Sequence, residues 1–258
     1  MKRFFGVIFL AFILLVLGVS LAEGVLAQEE VTCVVYFTGV GCPHCAKTDP
    51  ILLTQLPKEH SGLVIIEYEI YQQRENAPLL YEYNDLYGSG LGIPLVIFSK
   101  EEHLVGDTPI LQGVEKILEE RKSNRCPLMD GSSVAFDELD LSSLPGKPKI
   151  WTKERVLISS EEETDNTLLK ELLSAEDVSR VLEGREFETV DPQPVPLSGK
   201  NVEFKNAVKT NGWVFEWGFP VQEEDRGIPW NIVAAVTFIT GVGVSILWLA
   251  LRRTGGRA

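Results

Sequence analysis

Residues 31–50 read VTCVVYFTGVGCPHCAKTDP, a strand-like run that changes within a few residues into the start of a helix. The part from Val31 to Phe37 is apolar and rich in β-branched and aromatic residues, which predicts a buried strand. A short glycine-containing turn follows it. Pro43 suits the first turn of a helix, so Cys42 is predicted to lie at the N-terminus of that helix.

The CPHC motif places the thiols of Cys42 and Cys45 three positions apart. Unpaired backbone N–H groups and the positive end of the helix dipole favour a thiolate at Cys42. Cys45, one turn later, is expected to be more buried and able to close a disulfide with Cys42. His44 either stabilises the Cys42 thiolate or is an exposed spacer without coupling, and the first interpretation is favoured. The motif indicates a redox-active cysteine pair.

The same CxxC spacing also occurs as one half of a zinc site, which needs a second pair of ligands. The other cysteines and the remaining histidines form no such pair at short spacing: they are Cys33, Cys126, His60 and His103. No metal ligand is therefore predicted. A non-catalytic module that binds copper or zinc, or only docks a partner, remains the alternative to a redox site.

Two prolines beyond the CPHC motif resemble those of the thioredoxin superfamily. Pro50, five residues after Cys45, stands where these proteins kink the active-site helix. Pro94 follows Ile93 and precedes an apolar strand, as in the cis-proline loop of the family. The Pro-His dipeptide between the cysteines is similar to that of DsbA-type oxidants. The resemblance covers about residues 30–125.

This resemblance implies a thioredoxin-like α/β fold for residues 30–125, with a mixed central sheet flanked by helices and a glutaredoxin-like hairpin late in the domain. The implied catalytic set is Cys42, Cys45, His44, Pro43 and Pro94, and the implied substrate-binding set is Ile93 and Pro94. Cys42 would be the nucleophile and Cys45 the resolving thiol, while the backbone at Pro94 would meet an extended partner strand.

The chain departs from the family where a buried acid is usual, six residues before the first active cysteine. Tyr36 stands there instead. Glu67 or Glu69 on the next strand could take the role of this acid. Strand alternation is expected to let at most one of them face inward. For each glutamate, a solvated or edge-facing charge is the favoured interpretation. The lysine that glutaredoxins use to hold glutathione is also missing, so glutathione use is not implied.

Cys33 and Cys126 make the number of cysteines even. In a thioredoxin-like fold the last helix returns toward the start of the active-site strand, which would bring Cys126 near Cys33. The resemblance therefore implies a structural Cys33–Cys126 disulfide, favoured in an oxidising compartment. The alternative is a small buried hydrophobe at Cys33 and a free thiol at Cys126.

Hydrophobic periodicity divides the chain into elements. Within residues 30–125 it predicts strands at 31–37, 63–71, 94–99 and 103–107 and helices at 43–56, 76–87 and 109–123. For residues 126–226, a small α+β accessory region, it predicts a linker at 142–148, a strand at 150–158, a helix at 167–182 and a hairpin joining 202–208 to 213–217. Trp213, Phe215 and Trp217 share one strand face. This face is interpreted as the core of a small module or, less favoured, as a partner- or membrane-docking patch.

Both termini indicate a membrane. Residues 1–27 combine Lys2-Arg3 with a long uncharged run, as in a signal peptide or an uncleaved signal anchor. Residues 228–251 are uncharged and long enough for a transmembrane helix, and the short tail 252–258 is basic. The positive-inside rule then places the catalytic domain outside the cytoplasm, on a protein that crosses the cell membrane once or twice.

Together these features predict a membrane-tethered, extracytoplasmic thiol–disulfide oxidoreductase. Its partners would be thiols and disulfides of exported proteins or a membrane redox partner, and no cofactor is expected. A formal net charge of −13 argues against nucleic acid as a partner. The direction of electron flow is open, with oxidation slightly favoured by the Pro-His dipeptide.

Overall fold

The computed structural model describes five stretches of the protein: residues 30–121, 123–159, 166–185, 187–210 and 212–218. The predicted signal segment, transmembrane helix and basic tail lie outside these stretches. Within the described stretches, no helix has the length and apolar character needed to cross a membrane.

Strands and helices alternate in the first half of the described chain, and strands predominate in the second half. The strands are β1 (Thr32–Thr38), β2 (Leu63–Glu69), β3 (Leu95–Ile97), β4 (His103–Val105), β5 (Cys126–Pro127), β6 (Ser133–Val134), β7 (Lys149–Thr152), β8 (Arg155–Ser159), β9 (Glu188–Val190), β10 (Val195–Pro196), β11 (Asn201–Val202), β12 (Asn206–Thr210) and β13 (Trp213–Trp217). The helices are α1 (Cys45–Asp49), α2 (Leu56–Glu59), α3 (Ala77–Tyr87), α4 (Asp107–Glu120), α5 (Asn166–Ser174) and α6 (Val178–Leu182).

Nine of these strands form one mixed sheet in the order β4-β3-β1-β2-β7-β8-β13-β12-β9. β1 and β2 are parallel and are connected through α1 and α2, whereas the other neighbours are antiparallel. This confirms the predicted α/β class with a mixed central sheet. Two short hairpins, β5–β6 and β10–β11, lie outside that sheet.

All seven residues of β1 are buried, because helices and loops cover both faces of the sheet. Since side chains alternate along a strand, Cys33, Val35 and Phe37 enter the core on the side of α3. Val34 and Tyr36 enter a second core, which contains residues of α2 and α4 and of the β10–β11 hairpin. The turn that carries the CPHC motif thus leaves a strand that is fixed on both faces.

The helix that follows the motif is interrupted at Pro50. A π-helical segment, Pro50–Gln55, joins α1 to α2, so helical structure runs from Cys45 to Glu59 rather than over 43–56. Proline has no N–H to donate to the preceding turn, which accounts for the irregular hydrogen bonding at this point. At the other end of the segment the Leu56 N–H reaches back to the Ile51 carbonyl, five residues earlier.

Residues 149–217 extend the sheet that begins with β1. β7 pairs with β2, with Ile66 opposite Ile150, and β8, β13, β12 and β9 follow outward. The prediction of one strand over 150–158 is wrong, because the chain turns back at Lys153, which has a positive φ of 47°. The β7–β8 hairpin results, with Thr152 opposite Arg155.

The predicted hairpin near residue 212 lies between β12 and β13, with Thr210 opposite Trp213. Trp213 and Phe215 are buried in the core and Trp217 packs against it, so the docking-patch interpretation of this face is wrong. The helix predicted at 167–182 is wrong in one respect, since it divides into α5 and α6. Asp177 begins α6 by accepting a hydrogen bond from the Ser179 N–H.

Candidate functional site

The CPHC motif lies at the carboxyl end of β1, where a tight turn leads into α1. The Cys42 N–H donates to the Gly39 carbonyl at 2.9 Å, and the Cys42 carbonyl accepts from the Ala46 N–H at 3.0 Å. The Cys42 sulfur accepts from the Cys45 N–H at 3.2 Å. Cys42 therefore accepts two backbone N–H groups at the start of α1, one through its sulfur and one through its carbonyl.

The two thiols differ in their access to solvent. Cys42 retains 5% of its surface and Cys45 none, so only Cys42 is open to a partner molecule. Burial raises the pKa of the Cys45 thiol, and its hydrogen bond with Cys42 raises it further, while the Thr38 hydroxyl and the Gly39 backbone lower it. Both cysteines are free thiols in this structure.

A buried carboxylate lies one helical turn beyond Cys45. Asp49 Oδ1 accepts from the Tyr36 hydroxyl at 2.6 Å and from the Thr38 hydroxyl at 2.7 Å. Asp49 Oδ2 accepts from the Ser198 N–H at 2.8 Å. Burial raises the pKa of Asp49, although these hydrogen bonds lower it in part. We refer to Tyr36, Thr38, Asp49 and Ser198 as the Asp49 cluster.

Ser198 belongs to the β10–β11 hairpin, residues 195–202, which we call the strap. Its hydroxyl donates to the Gly39 carbonyl at 2.5 Å, so the strap also holds the turn before the CPHC motif. At the tip of the strap, Gly199 has a φ of +91°, and a Cβ built there would lie 3.2 Å from the Cβ of Ala46. The strap therefore packs closely on α1. Ser198, the residue before Gly199, is fully buried.

Glu67 and Glu69 are both buried, so the expectation that at most one of them faces inward is wrong. Residues i and i+2 of a strand share a face, and both glutamates lie on the Tyr36 side of the sheet. Glu69 accepts from four backbone N–H groups, those of Val40, Tyr71, Gln72 and Gln73, at 2.7–2.9 Å. It thereby fixes the turn before the motif to the loop after β2.

Glu67 has a different role from Glu69. It accepts from Lys149 Nζ at 2.9 Å and from Trp151 Nε1 at 2.5 Å, both on β7. Burial raises the pKa of Glu67, and the charge of Lys149 opposes that shift. The pair ties β2 to the second half of the chain on the same face as Asp49.

His44 is exposed, with 62% of its side chain accessible, and pairs with Asp107 at the start of α4. The distance between His44 Nδ1 and Asp107 Oδ1 is 3.3 Å, and Lys47 Nζ lies 2.5 Å from Asp107 Oδ2. The hydrogen bond from Lys47, with a smaller contribution from His44, lowers the pKa of Asp107 to about 2. His44 and Lys47 thus share one carboxylate beside the CPHC turn.

The Ile93–Pro94 segment lies at the same end of β1 as the cysteines. Its peptide bond is cis, and β3 begins at the next residue, with Leu95 opposite Phe37. A Cβ at Gly39 would lie 2.8 Å from the Tyr71 ring and 3.0 Å from Ile93 Cδ1, so only glycine fits there. Tyr71 remains 51% exposed and forms, with Ile93, an apolar border next to the turn.

Cys33 and Cys126 form a disulfide near the opposite end of β1, which is the pairing implied by the resemblance. Both residues are fully buried. Asn124 reinforces this junction, since its side-chain N–H₂ donates to the carbonyls of Cys33 and Phe98 at 2.7 and 2.8 Å. The four cysteines therefore divide into two separate pairs.

The structure thus brings Pro43, His44, both motif cysteines and the Ile93–Pro94 segment to one end of β1, and leaves Cys33 and Cys126 at the other. Asp49 and Ser198 were missed at the level of sequence. Asp49 follows Cys45 by four residues, a spacing that places both on one helix face. No local pattern identifies Ser198.

Among the described residues, no group of three or more His, Cys, Asp or Glu side chains is arranged to hold a metal ion. Comparisons with protein-family models, curated proteins and solved structures gave no match to this chain.

Proposed function

We propose that this protein is a thiol–disulfide oxidoreductase with a thioredoxin-like arrangement of its first half. The observation that carries the proposal is the geometry of the CPHC motif. Cys42 lies just before α1 with its sulfur accepting from the Cys45 N–H, and Cys45, the first residue of α1, is fully buried. In this proposal Cys42 is the attacking thiol, and the Cys45 N–H is a hydrogen-bond donor to its sulfur.

The proposed reaction has two steps. The Cys42 thiolate attacks a partner disulfide and forms a mixed disulfide with one partner sulfur, while the other leaves as a thiolate. Cys45 then attacks Cys42, the Cys42–Cys45 disulfide forms, and the second partner thiolate leaves. The same steps in reverse oxidise a partner dithiol. No cofactor takes part.

The proposed partner surface is the border formed by Tyr71 and the Ile93–Pro94 segment. An extended peptide placed along this border would run beside Cys42, the one motif thiol with access to solvent. The two sides of the border come from different loops, after β2 and before β3, and both pack on Gly39. Pairing of a partner strand with the backbone here would orient its cysteine toward the motif.

We further propose that the reaction takes place outside the cytoplasm, on a chain tethered to the cell membrane. The support comes from the basic and apolar segment at 1–27, the uncharged run 228–251 and the basic tail after it. The Cys33–Cys126 disulfide is consistent with an oxidising compartment. Retention in the membrane pellet after alkaline extraction tests the tether, and release into the supernatant would contradict it.

The reaction is tested by redox titration of the full chain in glutathione and dithiothreitol buffers, with labelling of Cys42 and Cys45 read by peptide mass. A two-electron transition is expected. A midpoint near about −120 mV identifies an oxidant of exported thiols, and one near about −270 mV a reductant supplied from the membrane. Failure of the two thiols to titrate as a pair would contradict the proposal, and stoichiometric copper or zinc would then favour the metal-binding alternative.

Partner capture provides a second test. Cys45→Ser leaves Cys42 able to form a mixed disulfide that nothing resolves, so partner proteins are expected to remain linked through Cys42. Cys42→Ser is the matched control, since it removes the accessible thiol and keeps the buried one. Equal capture by the two variants would exclude the assigned order of attack.

A further inference from the structure

The peptide unit between Gly39 and Val40 lies in the turn that leads into the CPHC motif. Its carbonyl accepts from the Cys42 N–H at 2.9 Å, which closes the turn. Its N–H donates to Glu69 Oε1 at 2.9 Å. Because glycine permits a wide range of backbone dihedrals, a peptide unit that follows Gly39 can rotate unless both of its polar groups are held.

A second hydrogen bond to this carbonyl comes from the strap. The Ser198 hydroxyl donates to the Gly39 carbonyl at 2.5 Å, so this oxygen accepts two hydrogen bonds. Ser198 has no surface accessible to solvent. Water therefore cannot replace the hydroxyl, and its loss would leave one of the two acceptor positions of the carbonyl unfilled.

The strap that carries this hydroxyl is anchored at three points. The Ser198 N–H donates to Asp49 Oδ2 at 2.8 Å, at the end of α1. Val195 and Val202, which lie opposite each other in the hairpin, are buried in the core that contains residues of α2 and α4. The tip at Gly199 packs on α1. The Ser198 hydroxyl is thus held at the turn by packing as well as by hydrogen bonds.

The same turn determines where the Cys42 sulfur lies. Cys42 is joined to the Gly39 carbonyl through its N–H, and its sulfur accepts from the Cys45 N–H at 3.2 Å. This contact places the sulfur beside the residue with which a disulfide would close. Rotation of the peptide unit after Gly39 would break the bond to the Cys42 N–H and allow the sulfur to move away from Cys45.

We infer that Ser198 is a positioning residue for Cys42, and that its hydroxyl keeps the Cys42 sulfur beside Cys45 by fixing the Gly39 carbonyl. The inference rests on the proposed thiol–disulfide exchange and concerns the step in which the Cys42–Cys45 disulfide closes. Closure is favoured when the reacting groups are already held together, because less freedom is lost as the bond forms. Since Ser198 is fully buried, it acts through Cys42 and not through contact with the partner.

The closing step is balanced without a further reactant. The Cys45 sulfur bonds to the Cys42 sulfur, the bond between Cys42 and the partner sulfur breaks, and the partner leaves with the electron pair of that bond. The two motif cysteines are oxidised and the partner disulfide is reduced. The proton lost by Cys45 is balanced by the proton that the leaving partner thiolate takes up, and Ser198 is unchanged.

The experiment separates the two steps of exchange with glutathione as the probe. In a Cys45→Ser background, intact mass gives the equilibrium constant for the mixed disulfide between glutathione and Cys42. With both cysteines present, glutathione redox buffers give the constant for complete oxidation of the pair. The quotient of the two constants is the closure constant of the Cys42–Cys45 disulfide in the full chain.

Ser198→Ala removes the hydroxyl and keeps the N–H that donates to Asp49. It is expected to lower the closure constant about fivefold, the usual effect of one hydrogen bond, and to change the constant for the mixed disulfide less than about twofold. A residue that only stabilised the fold would leave both constants of the folded protein unchanged. Thr54→Val is the matched control, because the Thr54 hydroxyl donates to the Pro50 carbonyl and not to the turn. Both of its constants are expected to stay within about twofold of the wild type.

A second variant tests the same contact from the tip of the strap. Gly199 has a φ of +91°, and a Cβ there would lie 3.2 Å from the Cβ of Ala46, so Gly199→Ala is expected to push the tip away from α1. This displacement weakens the bond between Ser198 and Gly39, and the closure constant should fall in the same direction. Because both changes act on one contact, the double variant should lose less than the two single effects combined.

The outcomes separate the inference from the proposed function. If the wild type forms no Cys42–Cys45 disulfide at any glutathione ratio, the exchange reaction itself is contradicted. If the wild type closes and folded Ser198→Ala has an unchanged or larger closure constant, the role of Ser198 is overturned and the exchange reaction stands. If circular dichroism shows that Ser198→Ala does not fold, Gly199→Ala decides, and an unchanged closure constant there would overturn the inference.

Discussion

The two cysteine pairs of this protein lie near opposite ends of one strand and have opposite surroundings. Cys33 and Cys126, which are 93 residues apart in sequence, are joined by a disulfide within an apolar core. Cys42 and Cys45 are three residues apart and are free thiols beside hydroxyl groups and a carboxylate. The strand that connects the two pairs is buried along its whole length.

The two pairs differ in solvent access and in the polarity of their surroundings, and on the proposed function these properties, rather than burial alone, separate a structural cysteine from a reactive one. Three of the four cysteines are fully buried, and Cys42 exposes only 5% of its surface. The Cys42–Cys45 pair is set apart by its position at the start of a helix and by the nearby polar side chains of Thr38 and Asp49. The structural pair has neither, and we expect it to stay oxidised when the motif is reduced.

The largest effect is expected from removal of the structural disulfide. The double variant Cys33→Ala, Cys126→Ala opens a loop between cysteines 93 residues apart, for which loop-closure entropy predicts a loss of about 4.7 kcal/mol in the free energy of unfolding. Urea denaturation measures this loss. The folded fraction should still exchange disulfides through Cys42, and loss of exchange in protein that remains folded would contradict the division into two pairs.

Replacement of the accessible thiol of Cys42 should abolish disulfide exchange and leave stability nearly unchanged. In Cys42→Ser the rate of disulfide exchange is expected to fall at least about 10³-fold, equivalent to about 4 kcal/mol in activation free energy. The free energy of unfolding of the reduced protein should change by less than about 1 kcal/mol, because serine can take over the capping contact. A comparable loss of stability would show that Cys42 is mainly structural.

Glu69 connects the reactive turn to the rest of the sheet, and its removal tests how far that turn depends on a buried charge. Glu69→Gln replaces a carboxylate whose two oxygens accept four backbone N–H groups. In the variant one of these oxygens becomes an N–H₂ group, which faces backbone N–H donors and cannot accept from them. The free energy of unfolding is expected to fall by about 2–3 kcal/mol. Glu82→Gln on the exposed face of α3 is the control, with an expected change within about 0.5 kcal/mol.

The smallest effect is expected from removal of the Asp107 carboxylate, which pairs with His44 and Lys47 beside the motif. Asp107 has a folded-state pKa of about 2, below its usual 3.8, because Lys47 and His44 favour its ionised form. Its stabilising contribution is therefore present above pH 3.8 and is lost as the pH falls toward 2. The urea midpoint of Asp107→Asn should lie slightly below that of the wild type near neutral pH and coincide with it at the acid limit. A difference that persists there would exclude the pairing as its cause.

Local patterns were sufficient for much of the site. The buried strand at β1, the turn and the position of Cys42 at a helix start follow from residues 31–50 alone, because each signal lies within a few residues. The hairpin near residue 212 was predictable for the same reason. The Cys33–Cys126 pairing needed the resemblance to a known fold, since its two cysteines have no local relation.

The remaining features depend on contacts that local patterns do not encode. Nothing in residues 149–152 indicates that this strand pairs with β2, and the turn at Lys153 lacks the usual glycine or asparagine. The spacing of Asp49 from Cys45 places both on one helix face. Glu67 and Glu69 both face inward because residues i and i+2 of a strand share a face. The contribution of the strap to the site required the three-dimensional fold.

The strap has a consequence for the order in which the protein assembles. Ser198 is 149 residues from Asp49 and 159 residues from Gly39, so both of its hydrogen bonds close very long loops. Contacts at such sequence separations form late, because the entropy of loop closure must be overcome first. During synthesis, which starts at the N-terminus, Cys42 and Cys45 are made well before the strap that holds the Asp49 carboxylate. The surroundings of the CPHC motif are therefore complete only after the chain has folded as far as residue 202.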